Sequence, residues 1–555
     1  MVDPHKLIVD LVEAAQVIDE TPPFADDDAP ANVSRETPAA QEKPADVPRA
    51  APGGGDDDEP PDGNADDIVF EMNREFSLVL LGSRAVVMRE MPDAPIEDRS
   101  RVLSLEAFKA YMQNKSQRIV RRVHDEKLGR EVDKVSYRKL APLWLTSRHR
   151  RTYDGIEFHP DPNDEPGTKG YFNLWRGFDV TPARDMPRRD RVKRYATFDD
   201  HLMNNIAGGD KGIYAWLFGW FAHIVQRPRE RIGTAIVLRG GEGWGKTKIG
   251  EIVGSLFASH YFLVDDPRYL VGQFNAHMAS CLLLQVDEGF WAGDKAAEGR
   301  LKGLITAKQQ MIEAKGVDPI RLENYVRLMF SSNEDWVVPV GLDGRRYLVL
   351  DVKPTQARNA DYFGEMDREM SAGGREALLA DLLDFDLSKI NLRDVPKTTP
   401  LLEQKLRSLD SVTSWWFERL SDGNLTRRRS GWAGAKGAGG FVAIDTLFDD
   451  YVHVAEKVGV RRKSEKTAFG MRMRKLLEID HVSLLRTTKR TTEVEGADGH
   501  LMQRRVPCYD MPSLDICREA FEQACGQCVL WMTDSEADDA AEEARTNESE
   551  GFPDE

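Results

Sequence analysis

Two short apolar runs, residues 76–81 and 84–88, flank Gly82-Ser83 and predict a β-hairpin. A helical stretch is expected over 105–113. Residues 198–206 and 213–225 predict two helices broken at Gly208-Gly209. The second is apolar on every side (Trp216, Leu217, Phe218, Trp220, Phe221), so it should be buried. Apolar strands are expected at 234–238, 281–288 and 325–333, and a helix at 248–253. Residues 353–400 read as a polar, Pro-containing connector with one helix near 375–385. Beyond it, helices at 414–419, 444–457 and 464–477 precede two strands, 482–492 and 501–508, around a turn at 495–499. Residues 4–19 fit one short amphipathic helix, whereas 21–67 are too rich in Pro, Gly, Ala and Asp to bury a core and should be disordered.

Charge changes this picture at the ends. Residues 1–70 carry 18 acidic and 4 basic side chains and residues 534–555 carry 10 and 1, so of the net −17 the body 71–533 holds +6. A mildly basic body between acidic tails suits a polyanionic partner. Four of the five cysteines fall between Cys508 and Cys528, without the second pair or His cluster a zinc site needs, so packing is the expected role. No signal peptide is expected, and the apolar run 213–225 is too short to span a bilayer. A soluble, cytoplasmic setting without membrane contact follows from this reading.

The chemistry centres on Gly240, Gly241, Glu242, Gly243, Trp244, Gly245, Lys246 and Thr247, between an expected strand and an expected helix. In that context G-x-x-x-x-G-K-[ST] is a phosphate cradle: glycine backbone amides and a helix N-terminus converge on phosphates. Lys246 would reach the β- and γ-phosphates of ATP and Thr247 would hold Mg²⁺. Asp287 and Glu288 close the next apolar strand, where Asp287 suits the metal and Glu288 the attacking water. Asn333 ends a further strand and is placed to sense the γ-phosphate. Arg345 and Arg346, at a turn before the last strand, read either as an arginine finger for a neighbouring subunit or as a structural ion pair. Lys315 sits at a hairpin tip, as a contact to single-strand phosphates or an ordinary exposed turn lysine. The helix with Lys466, Arg472, Arg474 and Lys475 and the hairpin after it follow winged-helix order, with Arg472 and Lys475 as candidate DNA contacts. In the first domain, Arg118, Arg121 and Arg122 with neighbouring Trp, Tyr and Phe suit unpaired bases or form a solvated basic face.

In this order and spacing GGEGWGKT, LLLQVDE, EAKGVDP, LMFSSNED and DGRRY resemble superfamily 3 helicases of the AAA+ class. More narrowly they look like the helicase-like domain of phage and plasmid primase–polymerases, related to poxvirus-type primase–helicases. Residues 204–210 and the run YFNLWRGF resemble the same group. The resemblance implies a homo-hexameric ring that hydrolyses ATP at subunit interfaces and translocates on single-stranded or forked DNA. The expected fold is α/β: a P-loop AAA+ core with a β-rich α+β domain before it, a winged-helix-like domain after it and disordered acidic tails. The expected divisions are 1–67 disordered with a short helix, 68–196 β-rich and basic, 197–355 lead-in and ATPase core, 356–400 connector, 401–533 winged-helix-like and 534–555 acidic tail. Such proteins often carry a primase or polymerase domain before the helicase, and the first 67 residues leave no room for one. Two expectations follow: either a separate primase or polymerase primes, with residues 4–19 as its docking peptide, or this protein only unwinds or loads. The alternative activity is a loader, remodeller or origin-binding ATPase that does not unwind processively.

Overall fold

The computed structural model describes residues 65–531 apart from 97–98, 126–128, 267–269, 271–274, 288–294, 314–318, 428–431, 433–439 and 496–500. The expected helix at 4–19, Glu288 and Lys315 lie outside the described residues.

The first unit runs α1 (Ala65–Glu75), β1 (Phe76–Leu81), β2 (Arg84–Glu90), β3 (Ser100–Ser104), α2 (Leu105–Tyr111), β4 (Ser116–Asp125), β5 (Arg130–Lys139), α3 (Leu140–Thr146), β6 (Thr152–Tyr153), β7 (Gly155–Glu157) and β8 (Tyr171–Asn173). The expected hairpin forms: β1 and β2 pair antiparallel around Gly82, whose φ of 59° favours glycine. They belong to a sheet of order β3-β2-β1-β6, with α1, α2 and α3 closing one face over Phe76, Phe108 and Trp144. By contrast, among the described residues β4 and β5 pair only with each other.

The central unit continues with α4 (Arg188–Val192), α5 (Ala196–Asp200), a π-helical turn (His201–Ile206), α6 (Lys211–Gln226), β9 (Ala235–Arg239), α7 (Lys246–Gly254), β10 (Tyr261–Val264), β11 (Leu283–Asp287), α8 (Lys295–Thr306), the hairpin β12 (Gln309–Ile312) and β13 (Ile320–Glu323), β14 (Arg327–Ser332) and β15 (Tyr347–Asp351). A five-stranded sheet of order β10-β11-β14-β9-β15 is parallel throughout. Both faces are covered, so β9 and β14 are buried at every residue, with apolar residues 235–238 and 328–330 between polar neighbours. Alternation still sorts them: Ile236, Leu238, Met329 and Leu348 enter the core with α6 and α7, and Val237, Leu328, Phe330 and Val349 the core with α8. The helix α6 is buried, as its all-round apolar sequence demands. Arg327, at the start of β14, fixes the end of α6: its guanidinium donates to the carbonyls of Arg227, Pro228, Glu230 and Tyr325.

The stretch after β15 departs from expectation. Here α9 (Ala360–Glu369) and a short π-helical turn precede α10 (Arg375–Asp384), which is the one helix expected near 375–385, so a helical layer stands in place of a polar connector. Met366, Met370, Leu378, Leu379 and Leu382 join the core shared with α6. Apolar burial at three- and four-residue intervals outweighs the polar composition.

The last unit is α11 (Thr399–Arg407), α12 (Ser411–Asp422), β16 (Gly440–Ala443), α13 (Ile444–Lys457), α14 (Lys466–Leu476), a minimal pair β17 (Glu478–Ile479) and β18 (Val482–Ser483), β19 (Arg486–Glu495), β20 (Leu501–Met511) and α15 (Leu514–Cys525). The helices pack around Trp415, Trp416, Tyr451, Phe469 and Phe521 beside an antiparallel sheet of order β16-β20-β19. The strand β16 and the helices α11 and α15 were not expected. Lys405 joins α11 to the end of α15 by donating to the Cys525 carbonyl at 2.6 Å. Four cysteines are buried and Cys528 is exposed. No helix among the described residues is long and apolar enough to cross a membrane.

Candidate functional site: a glycine-rich loop at the sheet's carboxyl edge

The loop 240–245 leaves β9 at the carboxyl edge of the parallel sheet, where open α/β sheets bind ligands. Its start is fixed from both sides. The Gly240 amide donates to the Ser332 carbonyl at 3.1 Å, and Arg239 forms a bidentate pair with Asp351 and a third contact with Glu403 of α11. Gly243 and Gly245 hold φ of 78° and 84°, a region glycine occupies without strain. A side chain on Gly245 would collide with the His201 and Phe363 rings, each 2.6 Å from its would-be Cβ.

Lys246 opens α7 and is buried, its ammonium donating to the carbonyls of Gly240 and Gly241 at 2.7 and 2.8 Å. It therefore lies folded into the loop that its motif would have it serve. Thr247 donates its hydroxyl proton to the Asp287 carboxylate at 3.1 Å. That separation matches neighbouring corners of a magnesium octahedron with bonds of about 2.1 Å, roughly 3 Å apart, so the pair fits a shared Mg²⁺. Gln285 braces both strands and helix, donating to the Thr247 carbonyl and Ser331 hydroxyl while accepting from the Tyr261 hydroxyl. Asp287 stands in register with Ser331, so Asn333, two residues on and exposed, emerges at the same edge.

Trp244 lies on the loop: its indole would sit 2.7 Å from a Cβ on Gly240 or Gly241, and Val352 would sit 3.4 Å from the one on Gly240. Glu242 is exposed, 3.9 Å from the Arg358 guanidinium. Sequence reasoning missed the loop's outer wall. The Arg358 amide donates to the Gly243 carbonyl at 2.9 Å, and His201 of the π-helical turn reaches the Gly245 carbonyl at 3.4 Å. The His201 ring stands edge-on to Phe363 and its other nitrogen meets the Asn205 amide at 2.9 Å. Burial holds this imidazole below its ordinary pKa, the Gly245 contact opposing.

Arg345 and Arg346 occupy the opposite edge. They precede β15, and the Arg346 carbonyl accepts from Ala235 at the start of β9. Five residues of parallel strand, about 16 Å, separate that level from the loop. The pair instead lines a 730 Å³ cavity with Arg393, Lys397 and Lys405, bordered by the end of α15. In the last unit Lys475 is exposed, whereas Arg472 is engaged with Asp410 at 2.6 Å and Thr413 at 2.8 Å. Asp410 caps α12, so this arginine braces a helix start.

Residues 238–346, the segment holding the loop, Asp287 and both arginines, match the model of a family of unknown function, DUF5906. The chain is related over part of its length to the DNA primase-polymerase of Nitratiruptor phage NrS-1, 25% identical over 274 residues. The match covers 46% of this chain and 36% of the phage protein. Two apo structures of the NrS-1 C-terminal region share the fold, with TM-scores of 0.52 and 0.51 at 16% and 15% identity. They cover 79% and 80% of this chain, and 97% and 98% of their own.

Proposed function

We propose that this chain is an ATP-hydrolysing DNA helicase of phage, prophage or plasmid replication. Its central unit is read as a P-loop AAA+ core of superfamily 3 type, working as a hexameric ring. One observation carries the reading: Lys246, Thr247 and Asp287 meet at the carboxyl edge of a parallel sheet, beside a loop of left-handed glycines and a helix N-terminus. The relationship to a phage protein named a primase-polymerase supports the replication setting, inside the infected host cell.

In this mechanism the loop amides receive the ATP phosphates, and Lys246 exchanges the Gly240 and Gly241 carbonyls for the β- and γ-phosphates. Thr247 and Asp287 would hold Mg²⁺, which would supply positive charge to the ATP phosphates. Glu288 draws the proton from the attacking water and Asn333 orients it. Arg345 and Arg346 serve a neighbouring copy's site, because their own loop lies at the other edge of the sheet. DNA runs past Lys315, and the last unit acts as a winged helix with α14 and the β19–β20 ribbon toward the duplex. There Lys475 is a contact and Arg472 a brace.

Phosphate release from the purified chain tests this. Lys246→Ala and Glu288→Gln should each lower turnover by about a hundredfold or more with the fold retained. Undiminished hydrolysis in both variants refutes the site. Strand separation on a forked duplex distinguishes helicase from loader, which would show DNA-stimulated hydrolysis without unwinding.

A further inference from the structure

We infer that the β4–β5 ribbon is an arm that enters the major groove of duplex DNA. It rests on the reading of the chain as a DNA-acting protein, but not on hydrolysis. Each strand is ten residues long, so the ribbon reaches about 33 Å, and no third strand among the described residues joins it. Its base is anchored: the Leu140 amide donates to the Lys115 carbonyl, and the Lys139 ammonium to the Gln113 carbonyl at 2.8 Å. Isolated two-stranded ribbons are marginal in water, so a long one with exposed Val123, Val135 and Tyr137 gains from a partner.

Charge identifies the partner. Residues 116–139 carry eight basic and four acidic side chains. The register Arg118↔Tyr137 and Arg122↔Asp133 places Arg118, Arg122 and Lys139 on one face, and Arg130, Lys134 and Arg138 on the other. All six are exposed. A ribbon lying flat on one strand or on a protein would need cations on one face. Cations on both faces suit a ribbon between two phosphate walls, and the major groove, about 12 Å wide, admits a two-stranded ribbon.

The test measures anisotropy of a fluorescein-labelled blunt duplex and of its single strand, titrated with the full chain without nucleotide across a salt series. Arg118→Ala/Arg122→Ala and Lys134→Ala/Arg138→Ala remove cations from opposite faces. Each pair should weaken duplex binding by about tenfold or more and flatten the log–log salt slope by nearly 2, with single-strand binding changed less. The same unfolding midpoint as the parent shows that the variants fold. Unchanged duplex affinity in either pair overturns groove insertion. A loss of self-association by light scattering, with duplex binding intact, overturns it in favour of a subunit contact. Lys246→Ala should bind duplex like the parent, so failure of the hydrolysis reading leaves this outcome readable.

Discussion

His260 shows how far one side chain can be committed by its neighbours. Its Nδ1–H donates to the Ser280 carbonyl at 2.8 Å, its Nε2 accepts from the Arg176 amide at 3.0 Å, and its ring stacks on Trp175 at 4.6 Å. Only the neutral ring makes both hydrogen bonds, and burial takes its pKa down to about 3. Burial, aided by Arg327, Arg227 and Arg393, takes His223 down to about 3 as well. Unfolded, both would titrate near 6.5. Their contribution is thus complete above pH 6.5 and is lost as the pH falls toward 3, because the unfolded chain binds protons that the folded chain refuses. Urea unfolding should lose about 2 kcal/mol per histidine between pH 6.5 and 5. In a His260→Asn variant, destabilised throughout, the pH slope should be shallower by one proton; an unaltered slope would remove His260 from the account. None of this is legible in sequence, since Trp175, Arg176 and Ser280 lie far from residue 260. Lys246, Thr247 and Asp287 were legible because spacing within strand–loop–helix units fixes where they emerge. His201 and Phe363, which wall Gly245 from 44 residues before and 118 after, carried no local signal.

Among elements, α10 forms where a helix was expected, but its burial was not expected. Arg375 to Asp384 offers charges at both ends, yet Asp381 lies inside the protein, where it accepts from the Tyr195 hydroxyl at 2.5 Å and pairs with Arg191 at 2.9 Å. Burial raises the Asp381 carboxyl above its usual range, while Tyr195 and Arg191 pull it back. The charge is therefore a cross-link to α4, not a mark of solvent. Asp381→Ala would strand the buried Arg191 near Asp384 alone and should cost about 3–5 kcal/mol in urea unfolding. A cost below about 1 kcal/mol would show that the pair contributes little. The helical spacing of Tyr362, Phe363, Met366 and Met370 was readable as an apolar stripe, but Pro and Gly around it favoured a connector. Elements such as α6, β9 and β14 were readable outright, since both-sided burial fills their central residues with apolar side chains. The four-residue β16 was not, because a strand that short is defined by its partner β20.

At the scale of the whole molecule, the polarity of the sheet sets an assembly rule. The glycine-rich loop and the Arg345–Arg346 pair sit at opposite edges, so hydrolysis by the proposed route needs two copies. Lys246→Ala protein and Arg345→Ala/Arg346→Ala protein should each be inactive by phosphate release. Mixed in equal amounts, they should regain activity at about a quarter of the interfaces, where an intact loop faces an intact arginine pair. No recovery on mixing, with exchange of subunits verified, would place the arginines outside the reaction.

The cysteines carry a practical consequence. Burial raises the thiols of Cys281, Cys508, Cys517 and Cys525 above their ordinary pKa, and all four are shielded. Thiolate and access together govern attack on an electrophile. Cys528, exposed just past the end of α15, is the natural chain's own attachment point for a maleimide dye. One fluorophore per copy, seated near the junction of the last unit and the sheet, would let single molecules be followed without engineering the sequence.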